Sequence, residues 1–271
     1  MKLLATDLDG TLLRGDGTVS DRTRAALLAA RESGLLVVFV TGRPPRWLDE
    51  AVEQTGHVGV AVGANGAVIY DCERATITES HPMPPELMAG ITADLRAAFP
   101  KVSFGFEYGD GFGAEPTYVH DWQINPRVDR SGRPIPPPRL GTVDELVARP
   151  ALKLLAKDRD AAVDDFLEAA ELLVGGRASI THSSSVGLLE LAAYGITKAS
   201  GLAHIAREHG IGAHEVVAVG DMPNDIPMLQ WAGTSYAVGN AHPAAQAAAG
   251  DGVLASNDED AVARLIESLL A

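Results

Sequence analysis

The chain has 271 residues, of which 46% are hydrophobic and 21% are charged, a composition typical of a folded globular protein and not of a disordered one. The 36 acidic residues outnumber the 22 lysines and arginines, so the formal net charge is -14. Because no run of basic residues could follow a phosphate backbone, we expect no nucleic acid partner. A small anionic ligand is still compatible with this charge, since a bound metal ion reverses the local sign of a site.

The chain contains a single cysteine, Cys72, which excludes an internal disulfide and favours a reducing cytoplasm as the location. No apolar stretch approaches the ~20 residues of a membrane-spanning helix, so we expect no membrane partner. The sequence does not indicate an oligomeric state.

Apolar runs without strict alternation predict strands that are buried on both faces. They lie at residues 3–6, 35–40, 59–62 and 216–219. Between the first two runs, Ser20 is a candidate N-cap and Gly34 a candidate helix end, and a second helix is predicted from Pro44 to Gly56. This alternation of strands and helices predicts an α/β fold with a doubly wound, mostly parallel, Rossmann-like core sheet.

The pattern changes between residues 82 and 185, which are rich in proline and aromatic residues. We predict helices at 85–99 and 161–173 and strands at 102–107, 117–121, 151–156 and 178–181. After residue 186 the alternating pattern resumes with "GLLELAAYGITKASGLAHIAREHGI". The predicted organisation is therefore a discontinuous core of residues 1–81 and 186–271 with an inserted α/β domain at 82–185.

Polar residues follow the predicted core strands, at the edge where open parallel sheets bind ligands. The segments are "DLDGT" (7–11), "TGR" (41–43), Lys198 after "GIT", and "GDMPND" (220–225). Each segment alone is also a common turn or helix cap. Together they supply four carboxylates, a hydroxyl and a cation, and oxygen ligands of this kind fit Mg²⁺. A calcium-binding EF-hand is excluded because its turn glycine would have to be Leu12.

These four segments resemble the motifs of the haloacid dehalogenase-like hydrolases, and "GANGAVIYD", "GITK" and "AVGNA" further resemble the Cof-like branch, which carries a large type IIB α/β cap. The resemblance implies a Mg²⁺-dependent phosphatase of small phosphorylated metabolites, with sugar phosphates the expected class. It implies that Asp7 is the nucleophile that forms an aspartyl-phosphate and that Asp9 is the general acid and base. The cap would close over the core and exclude water.

The resemblance also assigns the remaining site residues. Thr41 and Lys198 complete the catalytic set with Asp7 and Asp9. The implied metal ligands are Asp7, the backbone carbonyl of Asp9, Asp221 and Asp225. The implied phosphate or substrate contacts are Leu8, Gly10, Thr11, Gly42, Arg43, Asn65 and Asn224.

Several alternatives stay open at this point. Arg43 is either a salt-bridged residue at a helix start or a substrate contact, and Asn65 is either a turn residue or a contact to substrate or cap. Glu107, His120, Asp121 and Trp122 are weaker candidates for a leaving-group pocket in the insert. The aspartyl-phosphate chemistry would also suit a phosphomutase of sugar phosphates, or a phosphate-sensing regulatory protein that is phosphorylated on Asp7.

Overall fold

The structure is a computed structural model that describes residues 1–118, 136–183 and 187–271. The predicted strand at 117–121 and the candidates His120, Asp121 and Trp122 fall largely or wholly outside these ranges. The chain divides into two compact units, residues 1–79 with 197–271 and residues 80–196. The sequence prediction placed the insert at 82–185, so the second unit extends farther toward the C-terminus than predicted; the domain assignment itself stays a prediction.

The described residues form strands and helices in an alternating order. The strands are β1 (Leu3–Thr6), β2 (Leu36–Val40), β3 (Val60–Gly63), β4 (Val68–Asp71), β5 (Thr76–Ser80), β6 (Ser103–Tyr108), β7 (Gly111–Ala114), β8 (Arg139–Leu140), β9 (Lys153–Lys157), β10 (Ala178–Thr181), β11 (Leu188–Ala193), β12 (Val216–Gly220) and β13 (Thr234–Ala237). The helices are α1 (Asp21–Glu32), α2 (Pro45–Thr55), α3 (Pro85–Ala98), α4 (Val143–Leu146), α5 (Val163–Val174), α6 (Lys198–Glu208), α7 (Ile226–Trp231), α8 (Pro243–Ala248) and α9 (Ala261–Leu270).

The first unit is built on a seven-stranded sheet of order β13-β12-β1-β2-β3-β4-β5. Strands β13, β12, β1, β2 and β3 are parallel to one another, and β4 runs antiparallel to β3. Strand β1 lies between β12 and β2 with all four residues buried. Its continuous apolar sequence is explained by this position, because helices cover both faces of such a sheet. The predicted doubly wound α/β fold is therefore confirmed.

Local sequence signals fix the helices that connect the parallel strands. In α1 the Ser20 hydroxyl accepts a hydrogen bond from the Thr23 N–H, a standard N-cap. Helix α2 begins with Pro45 and ends at Gly56, which has a φ of +67°, the left-handed conformation that terminates many helices. These caps place the two helices between the strands whose ends carry the polar segments.

The second unit contains a six-stranded sheet of order β10-β11-β9-β6-β7-β8. Its pairs are antiparallel except β7 with β8. One face of this sheet packs on its own apolar cluster, which includes Phe104, Phe106, Leu154 and Phe166. Strand β11 belongs to this sheet, whereas the sequence prediction assigned the "GLLELAA" segment to the core. Its register is set by antiparallel pairing with β9 and β10, which the local sequence does not reveal.

Candidate active site

Four neighbouring parallel strands of the first sheet end at the same edge. The residues that follow them are Asp221 after β12, Asp7 after β1, Thr41 after β2 and the Ala64–Asn65 turn after β3. The carboxyl edge of an open parallel sheet is where ligands bind in this architecture. The polar segments that are far apart in the sequence are therefore brought to one place.

The segment after β1 is a tight turn over Leu8–Leu12, closed by a hydrogen bond from the Leu13 N–H to the Leu8 carbonyl. Gly10 has a φ of +77°, and a Cβ at this position would lie 2.4 Å from Asp221 Oδ2. Only glycine fits both conditions. The turn leaves Asp7 almost completely buried and Asp9 58% exposed, so the two carboxylates of one short segment have different environments.

Lys198, the first residue of α6, lies among the buried carboxylates. Its Nζ is 2.7 Å from Asp7 Oδ1 and 2.6 Å from Asp225 Oδ1. Asp7, Asp221 and Asp225 offer oxygen atoms that all lie within 4.8 Å of one another. Three carboxylates with one lysine carry a net negative charge, and their oxygen ligands fit a hard divalent cation.

The pKa values of these residues reflect the negative charge and the burial of the cluster. Burial, reinforced by the neighbouring carboxylates, raises the pKa of Asp7 well above its ordinary value, although Lys198 opposes the shift. Burial and the charge of Asp225 raise the pKa of Asp221 to about 6. For Lys198, burial disfavours the charge, but Asp225 and Asp7 outweigh it and raise the pKa. Each raised carboxyl pKa reports a site that would be stabilised by an additional positive charge.

The carboxylates of this cluster have different partners. Asp221 Oδ1 accepts a hydrogen bond of 2.9 Å from the Thr11 hydroxyl. Both oxygens of Asp225 are engaged, Oδ1 with Lys198 and Oδ2 with the backbone N–H groups of Asp221 and Met222. Asp225 therefore holds Lys198 and the start of the 221–222 segment in place.

Arg43 binds Asp9, the more exposed of the two carboxylates in the turn. Arg43 Nε and Nη2 donate to the two oxygens of Asp9 at 2.7 and 2.6 Å, and Nη1 donates to the Trp47 carbonyl. Burial disfavours the charge of Arg43, yet the pair with Asp9 outweighs it and raises the arginine pKa. The sequence left the role of Arg43 open between an ion pair and a substrate contact; the structure contains the ion pair, and its partner is the predicted acid and base.

The turn after β3 has an unusual backbone. Ala64, Asn65 and Gly66 all have positive φ, and a Cβ on Gly66 would lie 2.1 Å from the Thr197 carbonyl oxygen. The Asn65 N–H donates to the Thr41 carbonyl, and Asn65 Oδ1 accepts a 3.1 Å hydrogen bond from Asn224 Nδ2. Strained turns of this kind concentrate at functional sites.

One side-chain amide beside this turn is only partly hydrogen-bonded. Among the described residues, the buried Asn224 Oδ1 has no hydrogen-bond partner. A Cβ on Gly42 would come within 3.1 Å of Asn65 Oδ1, which places Gly42 beside the same pair of amides. The Thr41 hydroxyl accepts the Arg43 N–H. Unsatisfied buried groups are rare in proteins, so this corner of the site fits a bound polar group.

The predicted catalytic, metal-binding and phosphate-binding residues lie in the first unit, where hydrogen bonds join them in two groups, whereas the weaker candidate Glu107 lies in β6 of the second unit. Lys198 joins Asp7 to Asp225, Arg43 joins Asp9 to Thr41, and Asn65 joins Thr41 to Asn224. Leu8 contributes its backbone to the turn. Sequence reasoning missed Asn240, whose side chain donates to the Gly10 carbonyl; the only available signal was its place in "AVGNA". Among the residues that the structure describes, no helix has the length and apolarity to cross a membrane.

The chain was compared with known proteins. A family model described as haloacid dehalogenase-like hydrolase matches residues 4–266. The 5-amino-6-(5-phospho-D-ribitylamino)uracil phosphatase YcsE of Bacillus subtilis (strain 168) is 29% identical over 272 residues, which cover 98% of this chain and 94% of that protein. Pyridoxal phosphate phosphatase YbhA of Escherichia coli (strain K12) is 29% identical over 278 residues, which cover 99% and 98%.

A solved structure, that of the HAD subclass IIB sugar phosphatase BT4131, has a TM-score of 0.81 and 21% identity and covers 99% of both chains, so it shares the fold. The match of the family model over nearly the whole length confirms the resemblance carried by the motifs. The chain belongs to the haloacid dehalogenase-like hydrolases.

Proposed function

We propose that this protein is a Mg²⁺-dependent phosphatase of small phosphorylated metabolites, with sugar phosphates as the first class to test. The observation that carries the proposal is the buried cluster of Asp7, Asp221, Asp225 and Lys198, with Asp9 two residues from Asp7 and largely exposed. This arrangement supplies a nucleophile, a cation and a separate proton carrier. Related proteins named as phosphatases of a phosphoribityl compound and of pyridoxal phosphate support the substrate class, and the cytoplasm is the expected location.

In the first step, an Asp7 oxygen attacks the phosphorus atom while the bond from phosphorus to the leaving oxygen breaks. Asp9 gives its proton to that oxygen, so the product leaves as a neutral alcohol and Asp7 carries the phosphoryl group. In the second step, Asp9 takes a proton from water as the water oxygen attacks phosphorus. The bond to Asp7 then breaks and inorganic phosphate leaves.

The other residues position and neutralise charge, which is most of what phosphoryl transfer requires. Lys198 holds Asp7 through a 2.7 Å contact and offsets negative charge in a buried site. The Thr41 hydroxyl and the Gly42 N–H are the proposed donors to phosphoryl oxygens, beside Asn65 and Asn224. Asp7, Asp221 and the Asp9 carbonyl would hold Mg²⁺, which would supply further positive charge, and Asp225 supports this site through Lys198 and the 221–222 amides.

The pair of Arg43 with Asp9 has a consequence for turnover. Both oxygens of Asp9 accept hydrogen bonds from Arg43, so at least one of these bonds must open before Asp9 can contact the leaving oxygen. Asp9 therefore exchanges Arg43 for the substrate during the reaction, and until then the pair keeps Asp9 in one orientation. Asp9 is 58% exposed, so its carboxylate is accessible to a ligand from solvent.

The test is phosphate release from p-nitrophenyl phosphate and from a panel of sugar phosphates, pyridoxal phosphate and nucleotides, each with Mg²⁺ and with EDTA. We expect turnover only with Mg²⁺, none for Asp7→Asn, and a kcat reduced by ~10²–10⁴ for Asp9→Asn. Asp21→Asn is the matched control, because Asp21 is fully exposed at the start of α1. Absence of turnover on the whole panel would reject the phosphatase; a stable phosphoryl group on Asp7 would then indicate the mutase or the regulatory protein.

A further inference from the structure

The loop after β13 contacts the turn that carries the two reactive aspartates. Asn240 Nδ2 donates a 2.8 Å hydrogen bond to the carbonyl of Gly10, the residue between Asp9 and Thr11. The same loop holds the segment after β12, since the N–H groups of Val238 and His242 donate to the carbonyls of Gly220 and Asp221 at 3.3 and 2.8 Å. One loop thus contacts both acidic segments of the site.

Asn240 is itself held in position by Asn257. The Asn257 N–H donates to Asn240 Oδ1 at 3.0 Å, which fixes the orientation of the Asn240 amide, and the buried Asn257 Nδ2 donates to the Leu13 carbonyl at 2.9 Å. The two asparagines therefore bind carbonyls at both ends of the segment from Gly10 to Leu13. Amides suit this task because one side chain can accept and donate simultaneously.

Two residues shortly after Asn257 also contact the segment that follows Leu13. Asp258 accepts a 2.9 Å hydrogen bond from the Gly15 N–H, and Asp260 pairs with Arg14 at 2.9 Å. With Asn240 and Asn257, residues after β13 contact the segment 10–15 at four points. The contact of Asn240 is the one that reaches the turn between the reactive residues.

The turn needs such a contact for a physical reason. Gly10 is the least restricted residue in the turn, and its positive φ is one of several conformations open to glycine. Thr11 follows it directly and donates to Asp221 at 2.9 Å, and Asp9 precedes it. A rotation of the Gly10 peptide would therefore move the proton carrier and the Asp221 contact together, and displacements of about 1 Å cost much of the rate.

We propose that Asn240, oriented by Asn257, is a positioning residue that fixes the Gly10 carbonyl and through it Asp9 and Thr11. Asn240 touches neither substrate nor reacting atoms in this role. The activity readout rests on the phosphatase function proposed above, whereas the structural readout does not.

The test uses the full chain with Asn240→Asp and Asn240→Ala. The aspartate keeps the size and the acceptor for the Asn257 N–H but turns an oxygen toward the Gly10 carbonyl; the alanine removes the contact without adding charge. We expect both variants to lower kcat about tenfold, equivalent to about 1.4 kcal/mol, with KM within twofold of wild type. Hydrogen exchange of the amides of residues 8–13 should become faster, while the melting temperature stays nearly unchanged because Asn240 is exposed.

Gln246→Ala is the matched control. Gln246 donates to the carbonyls of Gly239 and Ala241, in the same loop as Asn240, and no hydrogen bond joins it to Gly10 among the described residues. It should leave kcat and the exchange of residues 8–13 unchanged. Asn257→Ala keeps the backbone N–H that orients Asn240 and removes only the contact to the Leu13 carbonyl, so it should lower kcat less than Asn240→Ala does.

The outcomes separate the two proposals. Any of three results would overturn the positioning role. These are a wild-type kcat in both Asn240 variants, a higher KM with unchanged kcat, and a decrease in kcat in Gln246→Ala as large as in the Asn240 variants. If wild type has no phosphatase activity, the proposed function fails, and the exchange comparison alone decides. Faster exchange of residues 8–13 in the Asn240 variants but not in Gln246→Ala then supports the role, and unchanged exchange rejects it.

Discussion

Replacement of Lys198 by methionine should destabilise the first unit strongly, and magnesium should restore part of the loss. Lys198 and its two partners are almost completely buried. Two hydrogen bonds between charged groups contribute ~1.5–3 kcal/mol each, and breaking a buried ion pair costs ~3–5 kcal/mol because the remaining charge is uncompensated. The two bonds together give about 3–6 kcal/mol and the ion-pair estimate about 3–5 kcal/mol, so we expect a loss of about 3–5 kcal/mol in the free energy of unfolding at pH 7.5 without metal.

The measurement is hydrogen exchange of the β1 and β12 amides in increasing urea, with EDTA or with saturating Mg²⁺, because these strands report on the first unit alone. Mg²⁺ replaces the missing positive charge and stabilises only the folded cluster, so it should raise the stability of Lys198→Met. Lys153→Met is the matched control: Lys153 is also buried, 2.5 Å from Glu190 in the second unit, and this variant should leave the exchange of the β1 and β12 amides as in wild type. A loss below about 1 kcal/mol for Lys198→Met, or the same response to Mg²⁺ in both variants, would refute the reasoning.

Three shorter predictions concern pH, backbone conformation and metal. Burial lowers the pKa of His57 from 6.5 to about 4, so the unfolded chain binds the extra proton first. Relative to His57→Phe, wild type should therefore lose up to about 3 kcal/mol in the free energy of unfolding as the pH falls from 6.5 to 4, measured by urea titration of both proteins. Gly66→Ala should lower the free energy of unfolding by more than about 2 kcal/mol, since its Cβ would lie 2.1 Å from the Thr197 carbonyl oxygen and φ is +104°. Gly56→Ala, with open space around it, should lower it by about 1 kcal/mol in the same titrations. The rise in melting temperature caused by Mg²⁺ should be smaller below pH 6. Burial and Asp225 raise the pKa of Asp221 to about 6, so protons compete with the metal below that pH. An equal rise at pH 5 and pH 7.5 would contradict this.

The core strands could be predicted from the sequence because they are continuous apolar runs with a polar residue at each carboxyl end. Residues 3–6 coincide with β1, the predictions for β2 and β12 differ by one residue at one end, and the prediction for β3 is shifted by one residue at both ends. The convergence of Asp7, Thr41 and Asp221 also followed, since parallel strands place their carboxyl ends together. Periodicity and turn chemistry were sufficient for these features.

Other features depended on contacts between distant residues. The "GLLELAA" segment was predicted to be core because the alternating strand and helix pattern resumes there, but its hydrogen bonds go to β9 and β10. Arg43 had two equal interpretations because the partner of an arginine is a matter of side-chain geometry. Asn240 resembled an ordinary turn residue, and only its distance to the Gly10 carbonyl separates it from one. Boundaries at 82–185 stay a prediction, beside the observed division at residues 80 and 196.

The pairing of β1 with β12 has a consequence for biosynthesis. Leu3 lies opposite Val216, so β1 is synthesised more than two hundred residues before its neighbour β12. At ribosomal rates of about 5–20 residues per second, β1 waits roughly 10–40 s with one edge unpaired, a state that favours aggregation. A nascent chain that stops before residue 221 lacks Asp221 and Asp225 and cannot form the acidic cluster. Release of phosphate by a newly made molecule would thus signal that translation had passed this point and that the sheet had closed.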